Sequence, residues 1–296
     1  MSKKLAVFEV QGGIGKHIAF TGALDAYKKA HPDHKCIVVC AWPEIMLGNS
    51  DVDRVYPLGN TPYFYQDFIY KQNTDIFIQE PYRQKNHILK KTNLRETWCD
   101  MFGVPYEGNM PKVFLNSAEM ESGRFPPLNK PILIFQPFGG PEQKDQLLSY
   151  SWMRDIYPPI AQEMVDAFTQ KYHVVYICYS HHPQLQNCQR FDQIVPKKTL
   201  FSMLLQSQQR VFCDSSMQHA AAALKLPSQV AWIGTQAKVF GYDFHTNFEP
   251  LINFGKGSID SYLYDYNFHG APHECPFDDP GKLLDYNKIV ENVLST

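Results

Sequence analysis

Short apolar runs bounded by Gly, Pro, Asn or Asp alternate along the chain with longer stretches in which apolar positions recur every three or four residues. The short runs predict buried strands, and the longer period predicts amphipathic helices. In the first part, "LAVFEV" (5–10) reads as a strand and 16–30 as a helix, followed by the strand "CIVVCAW" (36–42) and a short helix from Pro43. The strand "VDRVYPL" (52–58), an aromatic helix over 63–70, the strand "DIFIQE" (75–80), a helix over 86–102 and the strand "KVFLN" (112–116) complete this set. The second set opens with "ILIFQPFGG" (132–140), a helix over 152–170, the strand "HVVYICY" (173–179) and a further helix. Then come the helix "TLFSMLLQS" (199–207), the strand "RVFCD" (210–214), the helix "SSMQHAAAALKL" (215–226) and the strand "QVAWIG" (229–234). A less regular stretch rich in Tyr and Phe follows, and "PGKLLDYNKIVENVL" (280–294) ends the chain with helix start signals.

Alternation of this kind predicts an α/β protein whose parallel sheets are covered by helices. The Pro- and Gly-rich "GRFPPLNKP" (123–131) suits a linker, giving domains over 1–125 and 126–296 that face a central cleft, with a last helix (281–294) able to pack back on the first domain. Ligands of such sheets bind beyond the carboxyl ends of the strands. The glycine turn after the first strand and "CDSSMQH" are both strand-to-helix turns, expected across the cleft from one another.

Composition adds bounds. The 296 residues are 44% hydrophobic and 20% charged with a net charge of −2, which describes a globular protein with no global attraction to nucleic acid. No apolar run reaches membrane-spanning length and none resembles a signal peptide, so a cytoplasmic protein is expected, with a peripheral position at the inner face of a membrane left open. The seven cysteines are scattered without a C-x-x-C pair, which predicts reduced thiols and no structural zinc.

The stretch "VQGGIGKHIAFTGAL" (10–24) invites a nucleotide-binding reading, yet Val10 and His17 stand where a Walker A loop needs Gly and Ser or Thr. Ile18 likewise replaces the third glycine of a dinucleotide fingerprint. What remains is a tight turn at Gly12, Gly13 and Gly15 that admits a ligand near the backbone, and a helix N-terminus suited to an anion. The same glycines would also serve an ordinary packed turn.

Three segments resemble the heptosyltransferase-like glycosyltransferases of family 9. These are Gly12 to Gly59, with its glycine turn, helix, His-Pro-Asp and "NSDVDRV"; "VFCDSSMQHAAAALKLPSQVAWIGT" (211–235), similar to that family's donor motif; and "QPFGG" with "YSWMRDIYPPIAQEM" (150–164), similar to its second-domain entrance. The resemblance implies the GT-B architecture: two facing Rossmann-like domains, a nucleotide-sugar donor in the C-terminal half, an acceptor in the N-terminal half and no metal or other cofactor. It assigns Gln136, Gly139, Lys144, Asp214, Ser215, Ser216, Met217 and His219 to the donor and the turn at Gly12, Gly13 and Gly15 to the acceptor side, where Glu80 at a strand end and Arg83 in the basic run that follows it are further candidates. The family's carboxylate after the first glycine loop is replaced here by Lys16, the small glycine of the donor turn by Ser216, and the lysine before the second-domain Trp is missing, with Lys144 as a stand-in.

Inverting glycosyl transfer needs a base for the acceptor hydroxyl and positive or N–H groups for the departing diphosphate. Asp214 to Ser216, opening a helix, suits the diphosphate, although an N-cap is an equally ordinary task for such residues. His219 is a candidate for the same cleft or for packing. Among bases, Lys16 would need a much lowered pKa, whereas His17 titrates near neutrality and the plant-type small-molecule glucosyltransferases look similar in carrying a histidine base in their first glycine loop. Glu9 and Glu80, at strand ends, are carboxylate alternatives. "DVD" (51–53) and "FDDP" (277–280) read as turns, not metal sites. The basic run "PYRQKNHILKKTNLRE" (81–96) suits an anionic glycan or nucleic acid, or simply a solvated helix face. Aromatics at 61–70 and 261–270 could stack on rings or fill a core.

The resulting expectation is a metal-independent, inverting glycosyltransferase that moves a sugar from a nucleotide-sugar donor to a hydroxyl of a glycan acceptor, which an anionic glycan would fit. A phage-type enzyme acting on a modified DNA base and a non-catalytic sugar-nucleotide or glycan-binding protein of the same fold are the rivals.

Overall fold

A computed structural model describes residues 4–140, 150–251 and 277–296. The chain forms two compact units, Met1–Leu115 and Asn116–Thr296. The division falls earlier than the expected 125/126 because the short helix at 117–122 belongs to the second unit. Its capping box (Asn116 with Glu119) starts it, and Gly123 O accepts from Gln206 Nε2 at 2.7 Å just beyond its end.

In the first unit the strands β1 (Leu5–Val10), β2 (Lys35–Cys40), β3 (Arg54–Pro57) and β4 (Thr74–Phe77) form a wholly parallel sheet in the order β3-β2-β1-β4. Helix α1 (Ile14–Ala30) returns from β1 toward β2, and α2 (Pro43–Met46), α3 (Lys85–Ile88) and α4 (Leu94–Phe102) follow. Alternate residues of β1 face opposite sides, as the period of two requires. Phe8 meets Phe20, Tyr27, Phe77 and Phe102 in an edge-on and stacked aromatic cluster beneath α1 and α4. Leu5 and Val7 face the other way, under Phe64 and Phe68 of the β3–β4 crossover, so the aromatics of 61–70 serve in part as core.

In the second unit β5 (Ile132–Gln136), β6 (His173–Cys178), β7 (Gln189–Asp192), β8 (Gln209–Cys213), β9 (Gln229–Ala231) and β10 (Thr246–Phe248) are parallel in the order β10-β9-β8-β5-β6-β7. Leu133, Phe135, Tyr176 and Val211 of this sheet share a core with Met164, Val165 and Phe168 of α6 (Pro158–Phe168). The remaining helices are α5 (Ser117–Ser122), α7 (Lys197–Leu205), α8 (Ser216–Ala223), α9 (Ala237–Phe240) and α10 (Tyr286–Ser295).

Several expected elements differ. Residues 112–116 form no strand; the Lys112 amide donates to Thr21 Oγ1 at 2.8 Å, and its ammonium ties Asp25 (2.6 Å) to Asp51 (2.8 Å). The helix over 86–102 breaks into α3 and α4, because Asn93 caps the second piece by accepting from Glu96 N at 3.0 Å. The helix over 152–170 begins only at Pro158, and the segment after β6 supplies the edge strand β7 instead of a helix. The terminal helix α10 buries Tyr286, Ile289 and Val293 in the second unit's core, where Tyr172 donates to Val293 O at 3.1 Å. The described cysteines are free thiols, five of the six buried, and Cys275 lies outside the described residues.

A Cβ on Gly123 would press on Ser202 Oγ, on Thr199 O at 2.5 Å and on Met203 N at 2.9 Å, whereas one on Gly13 would meet nothing within 4 Å. Gly123→Ala should therefore destabilise the second unit by roughly 1–3 kcal/mol, as overpacking against backbone does. Gly13→Ala should leave the unfolding midpoint nearly unchanged; calorimetric unfolding of the two variants compares them directly.

Candidate functional site

In the first sheet β1 lies inside, with β2 on one side and β4 on the other. The turns that follow β1 and β4 adjoin one another, with a crevice beyond the carboxyl ends of the two strands. An open pocket of about 500 Å³ occupies it, lined by Glu9 near the end of β1 and Gln11 just after it, by Lys16 of α1, by Ile78, Gln79, Glu80 and Arg83 after β4, and by Trp98 of α4. Glu9, Lys16, Glu80 and Arg83, singled out from the sequence, thus converge on one place. Exposed Gly12, at φ 89°, and Gly13, the N-cap of α1, form the adjoining turn with half-buried Gly15.

Lys16 is buried, and its Nζ donates to both Glu80 carboxylate oxygens at 2.6 Å. The Tyr82 ring lies 4.7 Å from the same ammonium. The lysine stem passes over Gly12, where a side chain would approach Lys16 Cδ to 3.4 Å. Burial lowers the Lys16 pKa and the Glu80 charge opposes that shift. Glu80 also accepts from Tyr82 N at 3.3 Å. Glu9 accepts from the Gln11 side-chain amide at 2.5 Å, and among the described residues it makes no ion pair.

His17 stands differently from the expectation of a base. It is 0% exposed, with Nδ1 at 2.8 Å from Gly13 O and Nε2 at 3.0 Å from Val10 O, and Nε2 also accepts from Ala41 N at 3.2 Å. Burial drives its pKa down to about 4. The ring ties the glycine turn to the ends of β1 and β2 and offers no nitrogen to a ligand.

The second sheet repeats the arrangement: β5 lies inside, between β6 and β8. Across this second crevice Ser215 Oγ donates to Gln136 Oε1 at 2.5 Å, and Gln136 Nε2 donates to Gln193 Oε1 at 3.2 Å. Ser215 also caps α8 by accepting from Met217 N at 3.3 Å. Asp155 accepts from Gly139 N and Ser151 N, both at 2.9 Å, and from Arg154 Nε at 3.3 Å. The Arg154 guanidinium lies so close to the Gly139–Gly140 turn that Cβ atoms there would come within 3.0 and 2.7 Å of it. Its charge acts on Asp214, whose carboxyl burial pushes above the ordinary aspartate value.

Gln136, Gly139, Asp214, Ser215 and half-buried Ser216 therefore share one corner of the second unit. Met217 is 1% exposed and packed, so it offers a ligand no surface. His219 Nδ1 pairs with Tyr242 OH at 2.7 Å and is likewise buried. Lys144 and the aromatics at 261–270 lie outside the described residues. Sequence reasoning missed Arg154 and Gln193; the charged pair Arg154–Asp155 inside the otherwise apolar "YSWMRDIY" was the available signal. It also missed Gln11, Gln79 and Gln84, amides clustered beyond two strand ends. Of the turns set aside as metal sites, Asp53 accepts from Cys36 N at 2.9 Å and Asp279 from Gly281 N at 2.9 Å. Of the basic run, Arg83 and Lys85 are exposed, whereas Arg95 is buried and donates to Asn109 O at 3.1 Å.

No protein-family profile and no curated protein sequence matches the chain. Solved structures do. A family 9 glycosyl transferase from Veillonella parvula superposes with a TM-score of 0.67 at 11% identity, covering 99% of this chain and 96% of that one. The ADP-heptose lipopolysaccharide heptosyltransferase II of E. coli gives 0.65 at 11% identity over the whole of both chains. The iron-containing dodecameric glycosyltransferase TibC of enterotoxigenic E. coli gives 0.69 at 12%, covering 98% of this chain and 76% of that one. The fold is thus that of heptosyltransferase-like family 9 glycosyltransferases, with two parallel α/β sheets. No helix among the described residues is long and apolar enough to cross a membrane.

Burial holds His17, His87 and His245 down to about 4 and His182 to about 3, from an ordinary 6.5. The unfolded chain then binds protons that the folded chain refuses, so stability is complete above about pH 6.5 and falls as the pH drops toward 4. Urea unfolding should give a clearly smaller free energy at pH 5 than at pH 7.5. His17→Ala should destabilise by about 1–3 kcal/mol at pH 7.5 through its lost backbone ties and should flatten that pH slope; an unchanged slope would contradict the assignment.

Proposed function

We propose that the protein is an inverting glycosyltransferase whose second unit takes a nucleotide-diphosphate sugar and whose first unit takes a hydroxyl acceptor. The observation that carries this reading is the Arg154 guanidinium lodged against the Gly139–Gly140 turn, at the same strand ends as the Asp214–Ser216 turn that opens α8. A fixed cation beside the free N–H groups of a helix start matches the charge that develops on a departing diphosphate. The fold of glycosyltransferases over nearly the whole chain supports it.

In this reading Gln136, Ser215 and Ser216 hydrogen-bond the donor, Arg154 and the α8 amides stabilise the leaving diphosphate, and Asp214 orients the turn. Glu9 takes the acceptor proton: its neighbour Gln11 is neutral, so its charge is available, whereas Glu80 is engaged by Lys16. The acceptor O–H bond breaks toward Glu9, the oxygen bonds to the anomeric carbon from the face opposite the diphosphate, and the diphosphate leaves with its electron pair. Arg154 and the helix N–H groups supply the positive potential, so the transfer proceeds without a divalent metal. The protein works on the cytoplasmic side, where nucleotide sugars are made.

Screening nucleotide sugars by thermal shift and then by release of the nucleoside diphosphate tests the reading. Glu9→Gln should lower turnover by about 10²–10⁴-fold with donor affinity kept. Arg154→Met should weaken donor binding, and activity should survive EDTA. A donor that binds without any release or transfer would make the protein a binder instead of an enzyme.

A further inference from the structure

The pocket at the end of β1 and β4 is lined in part by a cation whose charge is already engaged. Two hydrogen bonds of the Lys16 ammonium end on Glu80, the Tyr82 ring covers it at 4.7 Å, and its side chain is 5% exposed. The Glu80 side chain, at 32% exposure, is the partner that meets solvent. A buried ion pair is weak evidence of stability, since desolvation offsets much of the attraction. Its consequence here is for the surface the pocket presents. Lys16 carries its charge inward, and what faces a ligand is a carboxylate from Glu80, a second carboxylate from Glu9, and the amides of Gln11, Gln79 and Gln84. Carboxylates accept hydrogen bonds and amides both donate and accept, which is the complement of hydroxyl groups and not of phosphate. Arg83 is the one exposed cation among the lining residues.

We propose that the Lys16–Glu80 pair makes this pocket selective for an uncharged, hydroxyl-rich sugar and bars a phosphorylated one. The inference rests on the acceptor role given above to the first unit, and it replaces the anionic acceptor suggested by the basic run. Glu80 binds the sugar; Lys16 is a positioning residue that fixes Glu80 and has its own charge spent on it. Removing the Glu80 charge would leave the ammonium uncompensated at the pocket wall and invert the preference.

Saturation-transfer NMR on the full chain, with methyl glucoside and glucose 6-phosphate as probes, tests this without any donor. The wild-type protein should show transfer to methyl glucoside and not to glucose 6-phosphate. Glu80→Gln should gain glucose 6-phosphate binding by about tenfold or more, the size of a charge-assisted hydrogen bond. The double variant Lys16→Gln with Glu80→Gln should lose that gain while keeping its circular-dichroism spectrum, so that a folding defect is separated from a charge effect. Equal binding of both probes by wild type, absence of methyl glucoside binding, or an unaltered preference in Glu80→Gln would overturn the proposal. Failure of glycosyl transfer with an intact preference switch would instead count against the enzyme reading alone.

Discussion

Each unit depends on the position of its first strand. β1 and β5 lie inside their sheets, β1 between β2 and β4 and β5 between β6 and β8. The turns that follow adjacent parallel strands leave backbone groups and short polar side chains beyond the carboxyl ends, where ligands of such sheets bind. Every residue given a chemical role here stands at one of these two places, and they differ in charge: carboxylates and amides at one, a guanidinium and a helix start at the other.

The sheets were readable because strands of a parallel sheet are covered on both faces and become continuous apolar runs. "LAVFEV" is β1 residue for residue, "CIVVCAW" and "HVVYICY" run one or two residues past β2 and β6, and "ILIFQPFGG" opens with β5. The misreadings have the same root. "KVFLN" is apolar enough for a strand, but it packs along α1 through Thr21 and finds no ladder partner. β7 (Gln189–Asp192) is polar because it is an edge, so hydropathy gave no sign of it. Local signals decided helix limits better than periodicity did: Asn93 before Glu96 divides the long helical pattern, and the Pro158–Pro159 pair marks a first turn.

For the sites, turns with glycine and small polar residues were legible as turns, and their neighbours followed from strand ends. The partnerships were not. Lys16 and Glu80 are 64 residues apart, and Gln136 and Ser215 are 79 apart, so nothing in local spacing joins them. His17 shows the limit of reasoning from residue type. A histidine at a helix start near glycines has the chemistry of a base and the same chemistry for bracing a turn, and only burial tells the two apart.

The interior placement of the first strands also governs the order of assembly. Non-local strand pairing is the slow part of forming such sheets, and β1 and β5 each wait for a partner delivered much later in synthesis. Since Met1–Leu115 contains all four strands of its own sheet, the N-terminal crevice can mature while the remainder of the chain is still being translated. The C-terminal crevice closes only after β8 has joined β5, so it gains shape later on a nascent chain than the N-terminal one.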